Sequence, residues 1–483
     1  MFAHSSQCEA GPPPNFHDSK TLSSSNWSAT SQKTKNRGCP IDPWYFMEMM
    51  KITNWFKSRA SSIRSRRSSV GASTVPPEPT PVLDVQVPIP FPEEKIQRYC
   101  KGGYHPTILG DLFQKRYKVV RKLGYGPNST VWLALDEKID RHVALKIFTA
   151  TNSDGIGESR RLETLKYIRE GDFKSPGRGG NLDLFAIFAL PGPHGIHSCL
   201  VMEPMHQNLL EFTARTENRI IPLVIVKEMT RQLLSGLDYL HRSCDITHTD
   251  IQARNILVSV SVEDFDCFIR KFLEKTPPRY YGDEYGDLPG YAVASEKLPI
   301  PLLPRPDLFK FKFAGLGMSQ YVDKTLPEMI QAPFFRAPEV IIGAPWGHSA
   351  DIWNFGCIIF ELLQGRVMFW GKENKEKGIT PEEDHLGQMI QCFGTFPLEL
   401  IGQGKYSYKY FDCFGDLIHV KNLAMHPFPL EKSLSRWNPS LSKTDVVGFT
   451  RLVRSMMRLD PNERRTAQLL LRDPWLNIQE EIG

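Results

Sequence analysis

The sequence predicts an α+β chain of two lobes, with strands at the front and helices at the back. Short β-rich runs separated by turn residues occupy 117–126, 129–137 and 142–148, as in a meander of antiparallel strands. Apolar residues at helical spacing follow at 158–170 and again at 226–240, and helices dominate from about residue 350. A strand-rich segment followed by a helix-rich one is typical of an α+β architecture.

Composition excludes several classes of protein. The chain has 483 residues, of which 41% are hydrophobic, which is enough for a sizeable core. No run approaches the ~20 apolar residues of a membrane span, and the first ten residues lack the pattern of a secretory signal. None of the nine cysteines forms a C-x-x-C pair, which argues against a zinc site and favours a reducing, intracellular compartment.

The first 95 residues are predicted to be a disordered tail, because they are rich in Ser, Pro, Asn and Gln. Residues 1–75 hold ten Lys or Arg and four Asp or Glu and therefore carry a charge of +6. The net charge of the whole chain is +5, so the remaining residues together carry −1. A near-neutral folded part argues against direct nucleic-acid binding. The basic Ser/Arg stretch at 57–69 is either a solvated tail or a site for phosphorylation, nuclear import or an acidic partner.

A glycine-containing turn joins the first two strands, at 123–131. Gly124 and Gly126 would let the backbone approach a phosphate without a Cβ in the way. Most glycines in such a position only make the turn, and Ser129 stands where a third glycine would strengthen the motif. The turn is therefore a weak signal by itself.

Lys146 lies in an apolar run on the third strand, where an unpaired ammonium is costly. We expect Glu163, on the next helix, to form an ion pair that holds Lys146 against nucleotide phosphates. A lysine that snorkels from the strand edge is the simpler alternative for this residue alone.

The strongest motif is the loop at 248–255, His-Thr-Asp-Ile-Gln-Ala-Arg-Asn. It follows an amphipathic helix and precedes an apolar strand. Asp250 and Asn255, five residues apart, are typical of a loop that transfers phosphoryl groups. In such a loop the aspartate accepts or orients the substrate hydroxyl proton and the asparagine holds metal.

Two further motifs follow in order, Ala-Pro-Glu at 337–339 and Asp-Ile-Trp-Asn-Phe-Gly at 351–356. We expect Glu339 to pair with Arg464. Asp351 heads an apolar helix, and we expect it to cap that helix and to brace the 248–255 loop. These roles are structural and not chemical.

Together these motifs resemble those of eukaryotic protein kinases, and more closely those of SR-protein kinases. Residues 99–106 and 110–113 precede the glycine turn as in that family, and 383–394 resembles the helix that the family uses for docking. The family also carries an insertion between its catalytic loop and its metal motif. The 60 residues from Asn255 to Gly315 are consistent with one, which we place at about 260–308.

The resemblance implies a bilobal protein kinase-like fold, with the strand-rich lobe and hinge at 97–206 and the helical lobe at 207–478. It implies ATP and Mg²⁺ as cofactors, with Met202 as gatekeeper and Asn255 as a metal ligand. The implied catalytic residues are Asp250, Lys146, Glu163, Asn255 and Arg254. The implied nucleotide contacts are Leu123, Gly124, Gly126, Val131, Ala144, Lys146, Glu203, Met205 and Leu257.

The resemblance also implies a partner and a location. The expected substrate is serine in Arg/Ser-rich, splicing-type proteins, docked partly by the acidic residues at 382–384. A simpler interpretation is that these acidic residues are the solvated first turn of a helix. We expect a monomer in the cytoplasm, the nucleus or both.

Gly315 departs from the family pattern, because it stands where the family has the aspartate that chelates Mg²⁺. Glycine offers no ligand, so the loss to phosphoryl transfer should be severe. Gln252 stands where a lysine is usual, Ala332 where a threonine is usual and Phe335 where a tyrosine is usual. Arg254 is in a position to compensate for the missing lysine.

Three functions remain open from the sequence. The first is a Ser/Thr protein kinase of SR-protein kinase type, with activity weakened by Gly315. The second is a pseudokinase that acts as a nucleotide-binding protein or as a scaffold. The third, a small-molecule phosphotransferase, ranks lowest because that class shares the Asp…Asn loop but lacks the motifs at 337–339 and 351–356.

Overall fold

The computed structural model describes residues 93–152, 156–171, 174–280, 293–300, 305–321, 329–421 and 428–477. The predicted tail, including the basic stretch at 57–69, lies outside the described residues except for its last three positions. In the part of the chain that is described, no helix is both long and apolar enough to cross a membrane.

A six-stranded antiparallel sheet forms the front of the fold, in the order β1-β2-β3-β4-β6-β5. Its strands are Leu112–Phe113 (β1), Tyr117–Gly126 (β2), Ser129–Asp136 (β3), Arg141–Phe148 (β4), Leu184–Gly192 (β5) and Gly195–Met202 (β6). The predicted meander is confirmed, because β2, β3 and β4 pair in sequence order.

Alternate residues of these strands face opposite sides of the sheet, and both sides are covered. Trp132 and Leu145 pair on the outer face and pack into one apolar cluster. Leu133 and Ala144 pair on the inner face and pack into another cluster with Leu123. The inner face is the one that carries Lys146, opposite Val131.

Helices dominate the rest of the chain. They are Ile156–Glu170 (α1), Leu209–Thr213 (α2), Leu223–Asp238 (α3), Phe265–Lys275 (α4), Pro338–Ile342 (α5), His348–Gln364 (α6), Pro381–Phe393 (α7), Leu398–Gln403 (α8), Leu430–Trp437 (α9), Lys443–Met456 (α10) and Ala467–Leu470 (α11). The structure thus confirms the α+β, two-lobed fold.

The helical periodicity in the sequence marks the buried face of α3. Val226, Met229, Leu233 and Leu237 are all buried, as is Leu240 just beyond the end of the helix. A burial spacing of three and four residues is that of one face of a helix. This helix and α6, which is buried on nearly all sides, form the centre of the helical part.

Short sheets place the functional loops next to α3 and α6. Gln207–Asn208 (β7), Ile256–Val260 (β9) and Phe309–Phe313 (β10) form a three-stranded sheet in the order β10-β9-β7. Ile246–Thr247 (β8) pairs with Gln320–Tyr321 (β11). Residues 248–255 therefore lie between β8 and β9, and Gly315 lies between β10 and β11.

The register of β9 and β10 defines the insertion. Phe309 pairs with Val260 and Phe313 pairs with Ile256, so the chain leaves and re-enters the sheet at adjacent positions. The amide of Ser261 donates to the carbonyl of Leu308 over 2.7 Å and closes the base of the insertion. The limits of the insertion, about 260–308, stay a prediction.

A buried ion pair ties α5 to the end of the chain, as predicted. Both guanidinium NH groups of Arg464 donate to Glu339, over 2.6 and 2.7 Å, and both side chains are fully buried. The guanidinium also lies 5.0 Å from the ring centroid of Trp353.

The prediction that Asp351 caps its helix is wrong. The helix begins at His348 with Gly347 as the residue before it, so Asp351 lies inside the first turn. The carboxylate is directed away from the helix N–H groups and toward the loop at 248–255.

The Arg464–Glu339 pair yields a stability prediction. Arg464→Ala should lower the free energy of unfolding by about 3–5 kcal/mol, because it leaves the Glu339 carboxylate buried and unpaired. The matched control is Arg305→Ala, which breaks an exposed pair with Asp307 at 3.2 Å and should cost under about 1 kcal/mol. Denaturant unfolding of both variants measures the difference, and equal losses would contradict the assignment.

Candidate active site

The loop at 248–255 is held in place by one buried carboxylate. Asp351 accepts hydrogen bonds from the backbone N–H groups of His248, over 2.6 Å, and Thr249, over 2.9 Å. It also contacts His241 Nε2 at 2.9 Å. Burial would raise the pKa of Asp351, but these hydrogen bonds and the nearby histidines hold that pKa below its usual value. The predicted bracing of the loop is present.

Inside the loop, two side-chain amides hold Asp250. Gln252 Nε2 donates to Oδ1 over 2.7 Å, and Asn255 Nδ2 donates to Oδ2 over 2.7 Å and to the Asp250 carbonyl over 2.9 Å. Burial raises the pKa of the Asp250 carboxyl, and the hydrogen bonds from the two amides oppose that rise. The carboxylate is therefore fixed in orientation and is more basic than an ordinary aspartate.

Gly315 lies against Asn255. The backbone of Gly315 has φ of 79°, in the left-handed region that favours glycine. A Cβ at this position would lie 2.6 Å from Asn255 Cγ and 2.7 Å from Asn255 Oδ1. The amide of Asn255 thus occupies the space that a side chain at position 315 would need.

The residues present do not fit a metal ion held by two protein ligands. Gly315 supplies no ligand, and Asn255 can offer only its side-chain oxygen, because its amide nitrogen is a donor and is hydrogen-bonded to Asp250. Among the described residues, no group of three or more His, Cys, Asp or Glu side chains could hold a metal ion. Asn255 Oδ1 is the remaining candidate ligand at the predicted position.

The predicted ion pair between Lys146 and Glu163 is not formed in this structure. Glu163 is exposed on α1. Arg161, two residues earlier, lies on the inward side of the helix, with its guanidinium carbon 4.2 Å from the ring centroid of Phe148. Residues two apart on a helix point about 200° apart, so an inward Arg161 turns Glu163 outward.

Arg161 contributes to the electrostatic environment of Lys146. Burial lowers the pKa of the Lys146 ammonium, and the positive charge of Arg161 lowers it further. The ammonium lies 5.3 Å from the ring centroid of Phe148. The Asp250 carboxylate opposes this decrease in pKa, so the charges that act on Lys146 are Arg161 and Asp250, where the carboxylate of Glu163 was expected.

Several implied nucleotide contacts share the inner face of the sheet. Val131 pairs with both Gly124 and Lys146, and Leu123 and Ala144 are buried in the same cluster. Gly126 pairs with Ser129 at the tip of the turn.

The remaining implied contacts lie at the hinge and on β9. Met205 and Leu257 are half-buried, and Leu257 pairs with Asn208. The Glu203 carboxylate accepts from Lys312 Nζ over 2.5 Å and from the Asp183 amide over 2.7 Å. Its side chain is thus engaged within the protein, and only its backbone is left for a ligand. Arg254 is half-buried beside Asn255.

The acidic residues at 382–384 are partly engaged within the protein. Glu383 is 1% exposed and accepts from the backbone N–H of His419 over 2.7 Å. Asp384 accepts from the Lys372 amide over 2.8 Å and from Gln388 over 2.7 Å. Within the part of the chain that the structure describes, Glu382 is the one member of the triplet whose carboxylate accepts no hydrogen bond. The main role of the triplet is therefore to stabilise the start of α7.

Sequence reasoning missed Gln331 and Leu298. The backbone N–H of Gln331 donates to the Thr249 carbonyl over 3.1 Å, and its side-chain Oε1 accepts from the backbone N–H of Ala337 over 2.8 Å, which joins the loop to the Ala-Pro-Glu motif. Leu298, from the insertion, is fully buried beneath the sheet. Neither residue stands in a recognisable motif, so no local signal could have identified it.

The contact between Gly315 and Asn255 yields a prediction. Gly315→Ala should destabilise the protein more than Gly378→Ala. Gly378→Ala is the matched control, because Gly378 has φ 69° and ψ 13° against φ 79° and ψ 12° at Gly315, and a Cβ there would lie an ordinary 3.4 Å from His419. Thermal unfolding of Gly315→Ala and Gly378→Ala separates left-handed backbone strain, which they share, from the clash with Asn255. Equal shifts in Tm would show that Asn255 moves away without cost.

Comparison with known proteins identifies the family. The protein kinase domain family matches residues 117–272 and 307–476, and the break between the two segments falls in the insertion. The chain is 31% identical to "Serine/threonine-protein kinase SRPK" of Physarum polycephalum, over 80% of this chain and 91% of that protein.

Two further relatives are also named as protein kinases. The chain is 29% identical to "Protein kinase dsk1" of Schizosaccharomyces pombe, over 80% of this chain and 85% of that protein. It is 28% identical to "SRSF protein kinase 3" of Homo sapiens, over 80% of this chain and 90% of that protein. The chain therefore belongs to the protein kinase family, and within it to the serine/threonine kinases of SRPK type.

Proposed function

We propose that this protein transfers the γ-phosphate of ATP, slowly, to serine in Arg/Ser-rich proteins. The observation that carries the proposal is the geometry of Asp250. Its carboxylate is oriented by Gln252 and Asn255 in a loop that Asp351 holds from behind. A fixed carboxylate of raised pKa is suited to accept the proton of a serine hydroxyl.

The roles of the other residues follow from their positions. Lys146, on the inner face of the sheet, would bind the phosphates, and Leu123, Val131 and Ala144 on the same face would contact the adenine. Asn255 Oδ1 is the proposed remaining ligand for a divalent ion that arrives with the nucleotide, since Mg²⁺ needs few protein ligands. The roles of Arg254 and Glu163 stay proposals, and Glu163 would have to turn inward to reach Lys146.

The substrate class is proposed from the family. One relative is named as a kinase of SRSF proteins, and Glu382 keeps a free carboxylate that suits a basic peptide. We propose a monomer that binds protein and not nucleic acid, and that works in the cytoplasm, the nucleus or both.

A specific observation favours the second candidate function, a pseudokinase. Three features weaken transfer together: the absent ligand at Gly315, the amide of Asn255 in its place, and the exposed position of Glu163. Metal neutralisation of the developing charge is a main contribution to phosphoryl transfer. A chain without it could bind nucleotide and partners and still fail to turn over.

Transfer of labelled phosphate to an Arg/Ser peptide tests the proposal. We expect slow transfer by the wild type, a loss of about 10²-fold or more in Asp250→Ala, and a gain of about tenfold or more in Gly315→Asp. Wild-type transfer equal to that of Asp250→Ala would support the pseudokinase. Because a side chain at position 315 meets Asn255, the Tm of Gly315→Asp is measured alongside its activity. Equal transfer by the wild type and by a Gly315→Asp variant with the wild-type Tm would show that Gly315 does not limit the rate.

Thermal shift with ATP, with and without Mg²⁺, separates the two candidate functions in a second way. A rise in Tm that requires Mg²⁺ is expected if Asn255 still holds a metal ion with the phosphates. A rise of equal size without Mg²⁺ would indicate nucleotide binding that does not use a metal ion.

The pKa of Asp250 gives a prediction for pH. Asp250 must be ionised to accept a proton, and its pKa is raised, so activity should be lost as the pH falls through a value above the ordinary ~3.9 of aspartate. Gln252→Lys places a cation where an amide now donates to Oδ1, which lowers the pKa of Asp250 and should move this acidic limb to lower pH. The pH dependence of transfer measures both, and an unmoved limb in Gln252→Lys would assign it to another group.

A further inference from the structure

A segment of the insertion, Val293–Leu298, lies along the front edge of the sheet. The backbone N–H of Glu296 donates to the Lys122 carbonyl over 2.9 Å, and Lys122 Nζ donates to the Val293 carbonyl over 3.0 Å. These bonds run along the edge of β2 just before the glycine turn. We call residues 293–298 the cleft segment.

Buried charges fix the cleft segment in one register. Glu296 is 8% exposed and is paired with Arg121 on β2, and its other oxygen lies 3.1 Å from Arg279 Nε. The amide and hydroxyl of Ser295 both donate to Glu93, over 2.7 and 2.9 Å. Buried and part-buried pairs of this kind specify a single arrangement, because any shift would leave a charge unpaired.

Lys297 spans the opening between the two lobes. Its Nζ lies 3.3 Å from Glu211 Oε1, at the start of the helical lobe. A Cβ on Gly124, in the strand-rich lobe, would lie 2.6 Å from the same Nζ. The ammonium therefore lies under the first glycine of the turn, where the nucleotide is proposed to bind.

Leu298 fills the space behind Lys297. It is fully buried in the cluster that includes Leu123 and Ala144, which are two of the proposed adenine contacts. Ile269, from helix α4 of the insertion, is fully buried in the same cluster. The apolar inner face of the sheet is thus covered by this chain's own residues.

We propose that the cleft segment is an intramolecular occupant of the nucleotide site and that ATP binds only after the segment is displaced. The inference rests on the proposed function, because it concerns the same cleft. In a chain that is closed most of the time, the apparent Kd for ATP rises by the inverse of the open fraction. The insertion then regulates the access of ATP to its binding site.

Release variants test this in the full-length protein. Ser295→Glu places a second carboxylate against Glu93 and so weakens the attachment of the cleft segment at a point away from the nucleotide site. Leu298→Ala removes the buried side chain. Both should bind ATP about tenfold more tightly than the wild type by isothermal titration, which corresponds to about 1.4 kcal/mol. Lys310→Ala removes an exposed lysine of β10 and is the matched control, with the affinity of the wild type.

Hydrogen exchange gives a readout that does not depend on folding of the variants. In the free wild-type protein the Glu296 amide should be protected, and saturating ATP should remove that protection. Protection that persists with ATP bound, affinity unchanged or weakened in both release variants, or no ATP binding by any variant would each overturn the proposal. Lys297→Ala that binds ATP more weakly, with Ser295→Glu unchanged, would instead make Lys297 a nucleotide ligand.

The two proposals fail in different ways. Tighter ATP binding in the release variants without phosphate transfer to the peptide would contradict the kinase function and leave closure of the cleft standing. Phosphate transfer by the wild type, with equal ATP affinities in all variants, would support the kinase function and contradict closure of the cleft.

Discussion

The buried carboxylate of Asp351 is the constraint on which the site depends. It is fully buried, yet its pKa is held low by His241 and by the backbone amide of His248, and its other oxygen accepts from the Thr249 amide. An ionised group is stable in such a position only when its oxygens are satisfied. The loop cannot move without leaving that charge unpaired, so the position of Asp250 follows from the packing of α6. The same helix is tied to the end of the chain by the contact of Arg464 with Trp353.

The substitution at Gly315 affects the packing of the site as well as its chemistry. A glycine at position 315 provides no metal ligand, and it also leaves space that a side chain would fill. The amide of Asn255 occupies that space. There Asn255 uses its amide nitrogen to hold Asp250. The proposed proton acceptor is thus kept in place by the residue that is also the proposed metal ligand. The site has an oriented carboxylate but no side-chain ligand at position 315, which is why binding and turnover need separate measurement.

The insertion is part of the fold, and we propose that it is also part of the nucleotide site. Its base is closed by the pairing of β9 with β10, and its helix α4 packs beneath the sheet. Through Glu296 and Lys297 it contacts both lobes. A polar segment that pairs on a strand edge and inserts one leucine gains specificity from its charges and stability from apolar burial. This combination suits a contact that is well defined yet can be exchanged for a ligand.

The sequence alone determined the α+β fold, the order of the motifs and the Glu339–Arg464 pair, because each follows from local periodicity or from motifs that can be recognised in the sequence. Only the tertiary structure decided that Glu163 faces outward and that Leu298 lies under the sheet. The direction of Glu163 depends on the rotation of a whole helix, which the packing of Arg161 against Phe148 fixes. The position of Leu298 depends on contacts between residues far apart in the chain, and no spacing within the sequence encodes them.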